Sequence, residues 1–184
     1  VLVISVLVYV LMRKRSGSDT ALVFLGLGCI VEGVEVTGSA LAWLAEVPDI
    51  LHALIVFGQI PLFGVLAGAV FTGIIQSSSA ATAILVGLVR EGLVDLRSAV
   101  SLALGSNIGT CVTTLIAGLW ASSAGRFTSR LHLVFNLIGV VTVLPVFNAF
   151  VTMVSVVSPA DPGYRLANAH TLFNLMSILV IFPW

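Results

Sequence analysis

The sequence is poor in charge: its 184 residues include eight Lys or Arg and eight Asp or Glu, and the formal net charge is zero. This balance argues against a generally basic surface of the kind that binds nucleic acid or anionic lipid. Cysteine and histidine are also scarce. Cys29 and Cys111 fit neither a disulfide scaffold nor a metal-ligand spacing, so we expect both to be packing residues. Three histidines without a paired His/Glu motif give no reason to expect a catalytic metal site.

Apolar residues, by contrast, make up 59% of the sequence and give a mean hydropathy of +1.17. Such a composition indicates a membrane protein rather than a water-soluble domain. Crossing a bilayer takes about 20 apolar residues, and three stretches are long enough: 21–44, 130–154 and 166–184. Three more are interrupted by glycines, Pro61 or polar clusters: 50–76, 77–89 and 99–120. We therefore expect an all-α polytopic membrane protein with discontinuous helices.

The charged loops indicate how the chain is oriented. The basic residues 13–15 follow an apolar stretch, and basic loops favour the cytoplasmic side of a membrane. We interpret residues 1–20 as a truncated transmembrane helix and a basic cytoplasmic loop. Arg126 and Arg130 return to the cytoplasmic side if the segments that flank the serine run enter and leave the membrane on one face. This arrangement favours a re-entrant helical hairpin.

The first polar cluster, Gln76 to Ser79 (the serine cluster), is a candidate anion site. The apolar run after it can continue as a helix whose free N–H groups point back toward Ser77, Ser78 and Ser79. Such N–H groups and the positive end of the helix dipole stabilise negative charge without Lys or Arg. The apolar segments around the cluster contain no basic residue. We therefore expect the serine cluster to bind an anion.

The second polar cluster, Gly105 to Thr110 (the glycine cluster), has different chemistry. Gly105 and Gly109 allow the backbone to bend or to approach a neighbour closely. Carbonyl groups freed by an unwound turn, together with hydroxyl and amide oxygens, suit a small hard cation such as sodium. The candidate sodium ligands are Gln76, Ser106, Asn107, Thr110 and Thr113.

Other polar residues in apolar stretches have two interpretations each. Glu32 and Glu35 share a helix face and fit either a proton or sodium relay or an interfacial amphipathic helix, which we slightly prefer. Two His-x-x-Phe-Asn-Leu motifs begin at His132 and His170. They fit either gating or hydrogen bonds between helices, and we prefer the hydrogen bonds because polar residues commonly play that part in membrane bundles.

The two clusters together resemble a known family. The run 72–80 (Thr-Gly-Ile-Ile-Gln-Ser-Ser-Ser-Ala) followed by 104–110 (Leu-Gly-Ser-Asn-Ile-Gly-Thr) is similar in order and spacing to the type II sodium/phosphate cotransporters and their bacterial relatives. Segments 130–136 and 167–174 resemble those that follow the second repeat of that family. Residues 21–184 are therefore expected to form one cotransporter-like membrane repeat.

The resemblance carries expectations about the site and its partners. Family members have two inverted-topology repeats, each of which contributes a Gln-Ser-Ser-Ser motif to one central site. Because this chain has one such motif, we expect the C-terminal half of a longer protein, in preference to a copy that pairs with another in opposite orientation. The resemblance implies that Gln76, Ser77, Ser78 and Ser79 contact phosphate. We add Asn107 and Thr110 of the glycine cluster to these candidate phosphate ligands.

The function implied is sodium-coupled transport of inorganic phosphate by alternating access in the plasma membrane, with a bacterial inner membrane expected. Its partners are phosphate, sodium as coupling ion, the lipid bilayer and a second repeat; no cofactor is expected. Two alternatives stay open: a non-transporting membrane subunit or regulator that binds an anion, and an intramembrane serine hydrolase with His132 or His170 as base. The hydrolase is the weaker one because no Gly-x-Ser-x-Gly elbow is present, and no residue is predicted to be catalytic.

Overall fold

The computed structural model describes residues 2–12, 22–29, 32 and 47–182. The chain divides into two compact units, Val1–Trp43 and Leu44–Trp184. In the first unit, α1 covers Leu2–Met12 and α2 covers 22–29. Glu32 is helical and half-buried. The predictions made for residues 13–15 and for Glu35 concern positions outside the described residues.

The second unit is a bundle of helices built from the apolar segments of the sequence. Its elements are α3 (Pro48–Gly58), α4 (Pro61–Ile75), α5 (Ser78–Arg90), α6 (Leu96–Leu119), α7 (Ser123–Val143), a 3-10 turn (Leu144–Val146), α8 (Phe147–Val157) and α9 (Pro162–Ile181). No strand occurs in the part of the chain that the structure describes, so the prediction of an all-α protein is confirmed. In the same part, two helical stretches are long and apolar enough to cross a membrane: Leu96–Leu119 and Ser123–Val157.

Helix α6 lies at the centre of the bundle and contacts α3, α4, α5, α7 and α9. Every residue from Ser98 to Asn107 is buried. The Asp95 carboxylate caps the helix by accepting a hydrogen bond from the Ser98 N–H at 2.8 Å. The prediction that 99–120 is a broken helix is wrong, because α6 is one continuous helix of 24 residues.

Gly105 and Gly109 of α6 serve close packing against α4 rather than a bend. A Cβ at Gly105 would overlap the carbonyl oxygen of Val65. The predicted packing role of Gly64 and Gly68 is confirmed, since a Cβ at either position would overlap α6. We call this contact the α4–α6 seam, and its residues are Gly64, Val65, Gly68, Ala69, Thr72, Gly73, Ser101, Leu102, Gly105, Gly109 and Val112.

Helices α4 and α5 form a hairpin whose tip is the serine cluster. The seam contacts run in the same order along both helices, from Gly64 with Ser101 to Gly73 with Val112, so α4 and α6 are parallel. Helix α5 runs back from the tip, and residues 91–95 join its end to the start of α6. Both ends of the hairpin therefore lie at the end of the bundle where α6 starts, and its tip lies part-way along α6.

The expected break at the serine cluster is confirmed. Helix α4 ends at Ile75, Gln76 has left-handed backbone angles (φ 59°, ψ 20°), and α5 begins at Ser78. Gln76 is the one non-glycine residue with positive φ in the described part of the chain. Such a conformation costs a residue with a Cβ about 1–2 kcal/mol, so the hairpin must hold it in place.

One smaller prediction is confirmed and another needs correction. The apolar stretch 130–154 lies within Ser123–Val157, which is long and apolar enough to cross a membrane, although α7 ends at Val143 and the 3-10 turn follows. Pro145 lies in that turn and has no N–H to continue the α-helical ladder. Cys111 is buried, as expected of a packing residue, but Cys29 is exposed, so the packing prediction is wrong for Cys29.

Candidate functional site

The start of α5 presents free hydrogen-bond donors. Ser77 is the N-cap residue, and its Oγ accepts a hydrogen bond from the Ala80 N–H at 3.2 Å. The N–H groups of Ser78 and Ser79 donate to no acceptor within the residues that the structure describes. Ser78 is half-buried and Ser79 is exposed. The positive end of the helix is therefore accessible and carries two free N–H groups and two hydroxyls.

A cavity of about 260 Å³ opens beside this helix start. Helix α5 lines it with Ser78, Ser79 and Thr82, and α9 lines it with Ala167 and His170. The structure thus brings two predicted phosphate ligands, Ser78 and Ser79, together with two polar residues that were not predicted as ligands, Thr82 and His170. Thr82 lies four residues after Ser78 and three after Ser79, so the three side chains share a helix face. This spacing is the sequence signal that could have identified Thr82 as a site residue.

An ion pair holds α9 against α5 at the far end of the hairpin. Arg90 Nη2 lies 3.2 Å from Asp161 Oδ1, and the guanidinium carbon lies 5.5 Å from the centre of the Tyr164 ring. Hydrogen bonds from the Tyr164 N–H and from Arg90 hold the pKa of Asp161 below its ordinary value. Because Asp161 begins α9 and Arg90 ends α5, the two helices are antiparallel, which brings His170 to the serine end of α5.

The residues just before the tip are tightly constrained. The Gln76 N–H donates to the Thr72 carbonyl oxygen at 2.6 Å, and the Gln76 side chain is exposed. The Thr72 hydroxyl is fully buried and is the one buried side-chain polar atom without a hydrogen-bond partner in the described residues. Thr72 packs against Gly109 of α6, so the seam places the end of α4 beside the glycine cluster.

The polar side chains of the glycine cluster donate hydrogen bonds to carbonyl groups of their own helix, α6. Ser106 Oγ and Asn107 Nδ2 both donate to the Ala103 carbonyl, at 2.8 and 3.1 Å, and Thr110 Oγ1 donates to the Ser106 carbonyl at 2.8 Å. Ser106 and Asn107 are buried, Thr113 is exposed, and none of these four side chains lines the cavity. Hydroxyl oxygens whose protons are already donated keep their lone pairs, so they suit a cation better than an anion. Their assignment as ligands stays a prediction.

The two histidine motifs place their rings against threonines of neighbouring helices. His132 Nδ1 lies 3.1 Å from Thr114 Oγ1, which confirms the preferred interpretation of a hydrogen bond between helices. His170 Nδ1 lies 3.5 Å from Thr82 Oγ1. The asparagine of each motif donates back to the carbonyl of its own histidine, at 2.9 and 3.0 Å.

The turn between α5 and α6 is fixed by a carboxylate. Asp95 accepts hydrogen bonds from the N–H and the hydroxyl of Ser98, both at 2.8 Å, and from Gln59 Nε2 at 3.1 Å. Partial burial raises the pKa of Asp95, but these hydrogen bonds outweigh it and hold the pKa below its ordinary value. Among the described residues, no group of three or more His, Cys, Asp or Glu side chains could hold a metal ion.

Comparison with known proteins identifies the family. The sequence pattern of the family described as Na+/Pi-cotransporter matches residues 33–177. The chain belongs to the Na+/Pi-cotransporter family. Membership confirms the resemblance found in the serine and glycine clusters. The Na+/Pi-cotransporter family is a family of membrane transporters, not of enzymes.

Individual relatives match different shares of the chain. "Uncharacterized protein YqeW" of Bacillus subtilis (strain 168) is 35% identical over 186 residues, which cover 100% of this chain and 59% of that protein. Sodium-dependent phosphate transport protein 2A of Oryctolagus cuniculus is 38% identical over 91 residues, 46% of this chain and 14% of the relative. Protein 2C of Homo sapiens is 49% identical over 81 residues, 41% of this chain and 13% of the relative. The chain thus spans less than two thirds of each relative's length. No solved structure matches it.

Proposed function

We propose that this chain forms part of a sodium-coupled transporter of inorganic phosphate and that the start of α5 holds the anion. The observation that carries the proposal is the break at Gln76 and Ser77, which leaves the N-terminal end of α5 facing a cavity. Breaks of this kind between apolar helices are where secondary transporters bind their substrates. The names of relatives 2A and 2C, both sodium-dependent phosphate transport proteins, support the choice of substrate.

An apolar surface supports a place in the lipid bilayer. Five large apolar residues on the outer face of α4 are each between 46% and 68% exposed: Leu62, Phe63, Leu66, Val70 and Ile74. Water-soluble monomers rarely expose a contiguous face of this kind. Helix α4 has 15 residues and is about 22 Å long, which is shorter than the hydrocarbon core of about 30 Å. We therefore place the α4–α5 hairpin as a re-entrant element with its tip inside the membrane.

Arginines lie at both ends of the bundle. Arg126 and Arg130 lie at the start of α7, at the opposite end of α6 from Asp95, whereas Arg90, Arg97 and Arg165 lie at the end where the hairpin opens. Basic loops favour the cytoplasm, so these arginines give the hairpin no preferred orientation. The proposal is a multi-pass protein of the plasma membrane, and of the inner membrane in a bacterium.

Sodium is the coupling ion in this account. Moving a phosphate anion into a medium of low dielectric is unfavourable unless its charge is compensated, and a sodium ion bound nearby supplies that compensation. The α4–α6 seam supports this arrangement because it brings the end of α4 beside the glycine cluster. The proposed sodium ligands are Gln76, Ser106, Asn107, Thr110 and Thr113; Asn107 and Thr110 also stand next to the anion in the proposed site.

A second repeat completes the site in this proposal. The chain contains one Gln-Ser-Ser-Ser motif, whereas the alternating-access mechanism of inverted repeats uses two halves around one site. A preceding segment of a longer protein or another copy of this chain could supply the second half. The transport cycle then exposes the anion site to each side of the membrane in turn.

The test is uptake of radiolabelled phosphate into proteoliposomes that contain the chain together with the second repeat that completes the site, with sodium or potassium outside. We expect accumulation that requires sodium, falls in Ser78→Ala and is unchanged in the control Ser155→Ala, because Ser155 lies on α8 and donates to its own helix. Phosphate binding without accumulation would favour the non-transporting subunit. Folded protein that neither binds nor accumulates phosphate in sodium contradicts the proposal.

A further inference from the structure

We propose that Thr82 and His170 are further ligands of the oxyanion, so that the anion site reaches from the serine cluster across the cavity to α9. The inference rests on the proposed function because it concerns the same cavity. Both side chains line that cavity together with Ser78 and Ser79. Among the described residues no carboxylate lines it, so the groups facing the space are hydroxyls, an imidazole and the start of a helix. This set suits a tetrahedral oxyanion rather than a cation.

The pair formed by His132 and Thr114 shows what a purely structural contact looks like in this bundle. The Thr114 hydroxyl donates its proton to the Cys111 carbonyl at 2.9 Å. Its oxygen is therefore an acceptor for the Nδ1–H of His132, 3.1 Å away. Both groups have good partners. This pair has no unused donor to offer to a ligand at that contact.

The pair formed by His170 and Thr82 differs in each respect. The Thr82 hydroxyl makes no bond to its own helix, and its one contact in the described residues is His170 Nδ1 at 3.5 Å, which is long for a hydrogen bond. Five other helical threonines donate to the carbonyl four residues earlier: Thr110, Thr128, Thr142, Thr152 and Thr171. The Thr82 proton is therefore free to turn toward an anion.

The size of the cavity fits this role. Its volume is about 260 Å³, while one water molecule occupies about 30 Å³ of liquid, so a tetrahedral oxyanion fits with part of its hydration shell. Ser78 and Thr82 are one helical turn apart and face the same space. An anion at the start of α5 can thus be contacted by hydroxyls from successive turns and by His170 from the opposite helix.

The experiment compares the two His–Thr pairs as matched variants. Inorganic phosphate binding to the purified chain, assembled with its second repeat, is measured calorimetrically in sodium for Thr82→Val and His170→Gln, with Thr114→Val and His132→Gln as controls. A hydrogen bond to a charged ligand is worth enough to change affinity about 10- to 100-fold, so we expect that loss for the first two. The two controls should lower the melting temperature and leave phosphate affinity unchanged, and Thr82→Ser should restore binding.

Each outcome decides the proposal. Wild-type affinity in both Thr82→Val and His170→Gln overturns it while the proposed function stands. Equal weakening by the controls overturns it as well, because the effect is then one of packing. Absence of phosphate binding by the folded wild-type assembly of both repeats removes the proposed function and this inference together. Should Thr82→Val not fold, Thr82→Ala and His170→Gln carry the same comparison.

Discussion

The serine cluster and the glycine cluster are both polar interruptions of apolar helices, yet only the serine cluster breaks its helix. At Gln76 the backbone turns left-handed and a new helix begins, whereas α6 runs through Gly105 without interruption. The difference lies in what covers each cluster. Helix α4 packs directly on the glycines, while the serines face a cavity. Two clusters of similar polarity therefore have different surroundings: the glycine cluster packs against α4, and the serine cluster borders a cavity.

The N-terminal ends of α5 and α6 also differ in their electrostatics. Asp95 places a carboxylate at the start of α6, so the positive end of that helix is already neutralised. Ser77 caps α5 with a neutral hydroxyl and leaves the N–H groups of Ser78 and Ser79 unused in the described part of the chain. The start of α5 can therefore attract an anion from outside the protein, and the start of α6 cannot.

The largest effect is expected from filling the seam. In Gly105→Ala the new Cβ overlaps the backbone oxygen of Val65, which cannot rotate away. We expect a loss of about 3 kcal/mol or more, measured as the melting temperature in detergent. The control is Gly87→Ala on α5, where a Cβ meets nothing within 4 Å; this change should stabilise the fold by up to about 1 kcal/mol. Equal stability of Gly105→Ala and wild type would show that the seam is not a close contact.

A charged cap at α5 should make the two helix starts alike. Asp is a good N-cap residue, so Ser77→Asp should keep α5 intact while its carboxylate repels the oxyanion. At a separation of about 4 Å near a protein surface, two like charges cost about 4 kcal/mol, and we expect at least a 100-fold loss of phosphate affinity. Ser77→Asn supplies an equally good cap without the charge and should bind phosphate well. Unchanged binding in Ser77→Asp would mean that the anion binds elsewhere.

Gln76, the left-handed residue at the break, is expected to give a smaller change, and this change increases the stability of the fold. Glycine adopts the backbone angles of Gln76 without strain, so Gln76→Gly should raise the stability of the fold by about 1 kcal/mol. The same variant should bind phosphate with a weaker dependence on sodium, since it lacks the proposed amide ligand. Thermal unfolding and sodium titrations check the two effects separately. A drop in stability would indicate that the Gln76 side chain itself holds the break.

The smallest effect concerns pH. Since the pKa of folded Asp95 is depressed, its contribution to stability is complete above the unfolded value of about 3.9 and is lost as pH falls through the folded value. The pKa of Asp161 is lowered as well, so Asp161 also makes stability fall at low pH. The contribution of Asp95 is therefore measured as the difference in melting temperature between wild type and Asp95→Asn. The melting temperatures of the two proteins should differ at pH 7 and converge as the pH falls below the folded pKa of Asp95. A difference that does not depend on pH contradicts this account of the cap.

The sequence is sufficient to predict the break but not the seam or the cavity. A run of small polar residues before an apolar segment is a local N-cap signal, and it placed the start of α5 at the serines. Gly105 and Gly109 fit both an unwound turn and a close contact, and the choice depends on α4, which is distant in sequence. His170 reaches the site because α9 packs antiparallel to α5, and no local pattern specifies that packing.

One comparison tests the central claim most directly: phosphate affinity of Ser78→Ala and Ser101→Ala at saturating sodium. Ser78 lines the cavity at the start of α5, whereas Ser101 is fully buried in α6 and donates to the Ser98 carbonyl. We predict that Ser78→Ala lowers the affinity about 10-fold or more and that Ser101→Ala leaves it unchanged. Weaker binding in Ser101→Ala with wild-type binding in Ser78→Ala would contradict the assignment of the anion to the serine cluster.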